Sequence, residues 1–94
     1  MIVRPPAIIA CTHSELIYDE VQEMAQHALR RMTSPMVVID VSRAERSSTA
    51  ALAALVSLRG MLRREQRDLR VRGARASVAA LLGILHLGPV LRCG

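Results

Sequence analysis

The stretch from Asp40 to Thr49, DVSRAERSST, holds the densest set of reactive side chains in the chain. It offers a carboxylate at Asp40, hydroxyls at Ser42, Ser47, Ser48 and Thr49, and guanidinium groups at Arg43 and Arg46. Two chemistries suit that set. Hydroxyls placed just before an apolar, helix-periodic run cap the first turn by accepting from its unpaired amides. The same hydroxyls are candidate phosphoacceptors, because a phosphate added there meets free amide donors and the positive end of the helix dipole, with Arg43 or Arg46 at hand to pair with it. Asp40 has three readings. It is a carboxylate that accepts loop amides and holds the turn in shape, a surface acid that orients a partner or a phosphoryl donor, or the acid of a small hydrolase working with a neighbouring hydroxyl.

Elsewhere the reactive residues are scattered. His13, His27 and His86 form no ligand spacing, and Cys11 and Cys93 belong to no CxxC or close Cys/His set, so neither a metal nor a disulfide scaffold is implied. Cys11 reads as a small core residue at a strand end rather than a nucleophile; Cys93 lies at the chain's end with no activating base near it in sequence. Neither GxGxxG nor GxxxxGK occurs, which removes the phosphate-cradling loops of nucleotide and dinucleotide sites, and no cofactor is expected.

The elements that must carry these groups follow from periodicity. Ala7 to Cys11 is a short apolar run suited to a strand covered on both faces. Thr12 and Glu15 have capping-box spacing, and apolar residues at Ile17, Val21, Met24, Ala25, Ala28 and Met32 predict a helix over 14–32. Pro35 precedes Met36 to Val41, a β-branched run that predicts the central strand, parallel to the first.

A second helix starts near Ser47, Ser48 and Thr49. It carries Leu52, Leu55, Val56 and Leu62 on one side, with Arg59, Arg63, Glu65 and Arg67 turned largely to water. Leu69 to Arg72 alternates like a half-exposed edge strand, with a turn at Gly73. A last helix begins near Ser77 and is stopped by Gly88 and Pro89, and Val90–Leu91 is a short candidate final strand. The fold class is therefore α/β in βαβαβα order: about three helices on a mainly parallel or mixed sheet of four to five strands, a single domain over 1–94.

Composition narrows the function. Apolar residues make up 51% of the 94, which excludes a disordered tail, and Arg4, Pro5 and Pro6 interrupt any signal-like run. No stretch is long and apolar enough to span a bilayer, so a cytoplasmic chain is expected. Residues 1–47 carry five arginines and six acids, residues 48–94 eight and two, so the basic character belongs to the second half. With Tyr18 as the lone aromatic, base-stacking platforms are missing, and direct nucleic-acid binding is not expected.

In its order of elements, and in the stretch VVIDVSRAERSSTAALAAL from Val37 to Leu55, the chain resembles a STAS domain of the anti-sigma factor antagonist family. Such domains have a hydrophobic strand ending in Asp-Leu-Ser, a short loop, then Asp-Ser-Ser-Gly-Leu at a helix start. Counted without a gap, Asp40-Val41-Ser42 falls on the strand ending, Ser48 on the second Asp, Thr49 on the phosphoacceptor, Ala50 on the next Ser, Ala51 on the Gly and Leu52 on the Leu. A one-residue gap puts Ser48 on the acceptor instead. Asp68 to Gly73 and Val78 to Leu91 resemble the family's next strand and the helix and turn after it, while the family's usual first strand is reduced to at most Ile2–Arg4.

The resemblance implies a non-enzymatic switch that binds an anti-sigma factor with serine/threonine kinase activity and is released by phosphorylation at Thr49 or Ser48, with a phosphatase to reset it and a weak homodimer as a further association. Docking would use Asp40, Ser42, Arg43, Arg46, Ser47, Ala51 and Arg59 together with Thr12 and Glu15, the arginines steering an acidic partner. Loss of the acidic neighbour (Ser48) and of the glycine (Ala51) favours a second implied role, a non-phosphorylated accessory subunit bound to the ATPase of an ABC lipid transporter.

Overall fold

Three strands lie side by side in the order β1 (Ala7–Ala10), β3 (Met36–Asp40), β5 (Asp68–Arg72), all parallel, in a computed structural model that describes residues 5–91. Ile2–Arg4 and Cys93 fall outside those residues. The register sets Ala7, Val37 and Leu69 in one row and Ile9, Ile39 and Val71 in another, so one face of the sheet presents a block of aliphatic side chains. Val37, Ile39, Leu69 and Val71 are buried there. Two helices, α1 (Tyr18–Arg31) and α2 (Thr49–Arg64), pack on each other and supply Val21, Met24, Ala25 and Ala28, and Leu52, Leu55, Leu58 and Leu62, to the same core. Each fully buried Leu or Ile stabilises by roughly 1.5–3 kcal/mol, and that core is the main force holding the three loops at the sheet's carboxyl end in place. The opposite face carries Ile8, Val38 and Arg70 in a row, with Ile8 and Arg70 exposed.

The α/β class, the element order and the central place of Met36–Asp40 agree with expectation, and β5 alternates buried and exposed at the sheet edge. The five strands are divided, however. Three form this sheet, and β2 (Glu15–Leu16) and β4 (Arg46–Ser47) form a separate parallel pair at its carboxyl end.

That pair shortens the first helix, predicted over 14–32. Glu15 and Leu16 are extended against Arg46 and Ser47, so α1 starts at Tyr18 and the Thr12–Glu15 capping box does not form. Thr12 serves another carboxylate: its amide and hydroxyl donate to Glu20 Oε2 at 3.2 and 2.9 Å.

Arg67, expected in water, is buried. α2 ends at Arg64, Gln66 takes a left-handed φ of 57°, and the chain doubles back so that Arg67 donates to the carbonyls of Ser34 (2.9 Å) and Ala28 (3.1 Å).

The third helix, α3, runs over Ala76–Ile84 and is terminated by His86 at φ 56° rather than by Gly88–Pro89. Those two residues open a last turn, α4 (Gly88–Leu91), where proline's missing donor is no loss. Val90–Leu91 is therefore helical, not a strand, and Leu91 plugs the core under α2 and β5.

Candidate functional site

The three loops that leave the carboxyl ends of β1, β3 and β5 are welded together. Cys11 N–H donates to Asp40 O at 2.9 Å and Val41 N–H to Arg72 O at 3.0 Å, continuing the ladders beyond the strands. Ala44 N–H closes a turn onto Val41 O at 2.9 Å, with both side chains fully buried as the plug of the β3–α2 loop. The loop's far end is tied to the β1–α1 loop: Glu45 N–H reaches Ser14 O at 2.6 Å and Ser48 N–H reaches Leu16 O at 3.0 Å, and Glu15 pairs with Arg46 at 3.6 Å. The docking segment expected around Thr12–Glu15 and the one at 40–51 are thus one surface.

Asp40 has the structural role. Its Oδ1 accepts from Ser42 N–H at 2.9 Å and its Oδ2 from Arg72 Nε at 3.1 Å. Hydrogen bonding from Ser42, through side chain and then amide, is the main influence holding its carboxyl below the usual range, with Arg72 adding to it against a smaller effect of burial. Both oxygens are committed to shaping the turn, which leaves the hydrolase reading without its acid.

Ser48 is the N-cap of α2. Its Oγ accepts from Ala51 N–H at 3.0 Å, worth about 1 kcal/mol. Thr49 follows as the first helical residue, exposed, and its hydroxyl makes no hydrogen bond among the described residues. Ser47 is half-buried and its hydroxyl donates to Ser48 O at 3.0 Å. Two adjacent hydroxyls that look alike in sequence therefore differ: one is spent on the helix, the other is free.

Arg43 is exposed at the tip of the loop, and Arg46 is exposed beside Glu15. Two residues of the expected docking set lie away from this exposed loop surface. Ala51 is fully buried, because its position one turn into α2 faces the core. Arg59 lies ten residues along α2, about 15 Å from Thr49, and is bound to Asp68 at 3.0 Å.

Several members of the site gave no local signal. Gly73, at φ 76°, lets the β5–α3 loop press against the β3–α2 loop; a Cβ there would stand 3.0 Å from Ser42 Cβ and 3.2 Å from Asp40 Oδ1. Arg75 Nε then donates to Ser42 O at 2.8 Å, and the Ser77 hydroxyl donates to Glu45 O. Glu20 clasps the β1–α1 loop through Thr12 and through His13 Nδ1 at 3.0 Å. Burial pushes its carboxyl up, but the hydrogen bonds from His13 and Thr12 outweigh that and hold it below the ordinary range. Cys11 is buried beneath the site, and burial raises its thiol above the usual value, which keeps it inert.

From Thr49 the exposed side of α2 continues as Ala50, Ala53, Ser57, Gly60 and Met61, without a charge until Arg63. A groove lies along each flank. One is lined by Tyr18, Gln22, Ala50, Ala54, Ser57 and Met61, the other by Thr49, Val56, Leu85 and Leu87, and Ala53 borders both. Among the described residues no group of three His, Cys, Asp or Glu side chains is placed to hold a metal, and no helix is long and apolar enough to cross a membrane.

The crystal structure of a sulfate transporter family protein from Wolinella succinogenes shares this fold with a TM-score of 0.78, over 95% of this chain and 75% of that one, at 13% identity. The NMR structure of the protein TM1081 matches with a TM-score of 0.80 over 100% of this chain and 77% of that one, at 12% identity. At such identities the likeness is one of fold. No curated protein matches the sequence. A family model described as "Mlab, STAS domain" matches residues 12–92, from the β1–α1 loop through α4, and the chain belongs to that family of non-catalytic STAS domains.

Proposed function

We propose that the chain is a cytoplasmic accessory subunit that docks on the ATPase of an ABC lipid transporter, as a single domain acting through protein contact. The family description supports this reading, as does the fold shared with a member of a transporter family. The observation that carries it is the uncharged outer side of α2, Thr49 to Met61, between its two grooves. Lasting subunit interfaces have such a core, depleted of charge, with a charged rim. Arg43 and Arg46 form the rim at one end, Arg63 and Arg64 at the other.

The test is affinity capture from detergent-solubilised membranes, comparing the wild type with Ala53→Arg, which sets a charge at the centre of the face. Peptides of an ABC ATPase enriched by the wild type and lost with the variant are expected. Equal recovery of that ATPase by both proteins, or none with either, refutes the reading.

A second reading, partner switching with a kinase that is also an anti-sigma factor and a phosphatase that resets it, is favoured by one feature: the free, exposed hydroxyl of Thr49 at the positive end of α2. Incubation with that kinase and ATP would then add the mass of one phosphate, lost on Thr49→Ala and kept on Ser48→Ala.

A further inference from the structure

Two pairs of neighbouring arginines, Arg30 with Arg31 and Arg63 with Arg64, occupy the last turns of α1 and α2. The two helices pack on each other, and each returns the chain to the amino end of the sheet, where β3 starts at Met36 and β5 at Asp68. Arg67 holds those two ends together through Ala28 O and Ser34 O, so both pairs stand at one pole, away from the loops that carry Thr49. All four are exposed. Arg30, Arg31 and Arg64 have no ion pair among the described residues, and Arg63 shares Asp68, at 3.7 Å, with Arg59. The other exposed residues over 30–35 and 63–66 are Thr33, Pro35, Glu65 and Gln66, and Glu65 is paired with Arg67.

Helix dipoles do not account for so much charge. The carbonyls at two helix ends carry about one negative charge between them, which leaves about three of the four guanidiniums unanswered. At the loop end, by contrast, Glu15, Glu20, Asp40 and Glu45 are matched one for one by Arg46, His13, Arg72 and Arg75. We propose that the basic pole lies on an anionic phospholipid surface, with its guanidiniums among the headgroup phosphates. Beside Arg30 and Arg31 a cavity of about 270 Å³, lined also by Glu23, Gln26 and His27, has room for a headgroup. The occupant follows from what the patch lacks. Large apolar side chains anchor a protein partner and aromatic ones a single-stranded nucleic acid, and the segments 30–35 and 63–66 expose neither. Attraction through charge alone, spread over two helix ends, suits a planar array of phosphates. Arg63 and Arg64 also end the uncharged side of α2, so a partner held on that side would lie beside the bilayer.

Sedimentation with protein-free vesicles at low salt tests the contact independently of any ATPase. Each arginine near an anionic bilayer strengthens binding about fivefold. Vesicles of equal parts phosphatidylglycerol and phosphatidylcholine are therefore expected to bind the wild type about a hundredfold more tightly than phosphatidylcholine alone, and high salt to erase the difference. The double variant Arg30→Gln, Arg31→Gln is expected to weaken binding about twenty-five-fold and Arg64→Gln about fivefold, both with the far-UV circular dichroism of the wild type. The double variant Arg43→Gln, Arg46→Gln removes the same charge from the loop end and should change vesicle binding by less than about twofold. Equal binding to the two kinds of vesicle overturns the proposal. So does equal weakening by the two double variants, which would make the attraction one of net charge, or tighter binding to a DNA duplex at the same salt, which would make the pole a nucleic-acid site.

Discussion

Replacing Ser48 and Thr49 one at a time separates two hydroxyls that the sequence presents as equivalent. Ser48→Ala removes the acceptor of the Ala51 amide and orphans a donor in the first turn of α2, the helix that contributes Leu52, Leu55, Leu58 and Leu62 to the core. The cost of such a cap is about 1 kcal/mol, which in a domain of this size lowers the melting temperature by roughly 4–8 °C. Thr49→Ala removes no hydrogen bond from an exposed site, so it stays within about 0.5 kcal/mol of the wild type. Ser48→Asp supplies another good capping acceptor and adds a favourable charge at the helix start, and it is expected to recover most of the loss. Urea unfolding of all four proteins, followed by circular dichroism at 222 nm, measures the differences. Equal destabilisation by Ser48→Ala and Thr49→Ala, or a Ser48→Asp protein no more stable than Ser48→Ala, refutes the assignment of the cap.

Gly73→Ala forces a side chain into a left-handed residue 3.0 Å from Ser42 Cβ, and a loss of about 1–3 kcal/mol in urea unfolding is expected, with Ser42 and its neighbours the first amides to change in NMR spectra. Arg67→Ala strips the buried carbonyls of Ala28 and Ser34 of their donors and should cost about 2–4 kcal/mol; a value below 0.5 kcal/mol would show the contacts to be unimportant. The folded-state pKa of Asp40 is depressed, so its contribution is complete at neutral pH and is lost as pH falls below about 4 and through the depressed value. Asp40→Asn should therefore be less stable than the wild type at pH 7, and the difference should shrink in urea midpoints measured toward pH 3. A constant gap across that range contradicts the linkage.

The apolar runs and their periods determined the α/β class, the place of Met36–Asp40 at the centre, the edge character of β5 and the start of α2 near Ser47, Ser48 and Thr49, because each of these is decided by residues within one or two turns of each other, while the choice of Ser48 as the cap was left to the structure. The gathering of reactive side chains at 40–49 was visible for the same reason. Only the tertiary structure decided the rest. A capping box at Thr12 and Glu15 lost to backbone pairing with Arg46 and Ser47, thirty-one residues away, and Thr12 went instead to Glu20. Arg67 reads as a solvated charge until a left-handed residue turns it under the end of α1, and Gly73, Arg75 and Ser77 gain a role only when the β5–α3 loop meets the β3–α2 loop. Local propensity is worth tenths of a kcal/mol per residue, whereas a buried backbone pairing or a shared core is worth several. Where the two conflict, contacts between residues distant in the chain prevail.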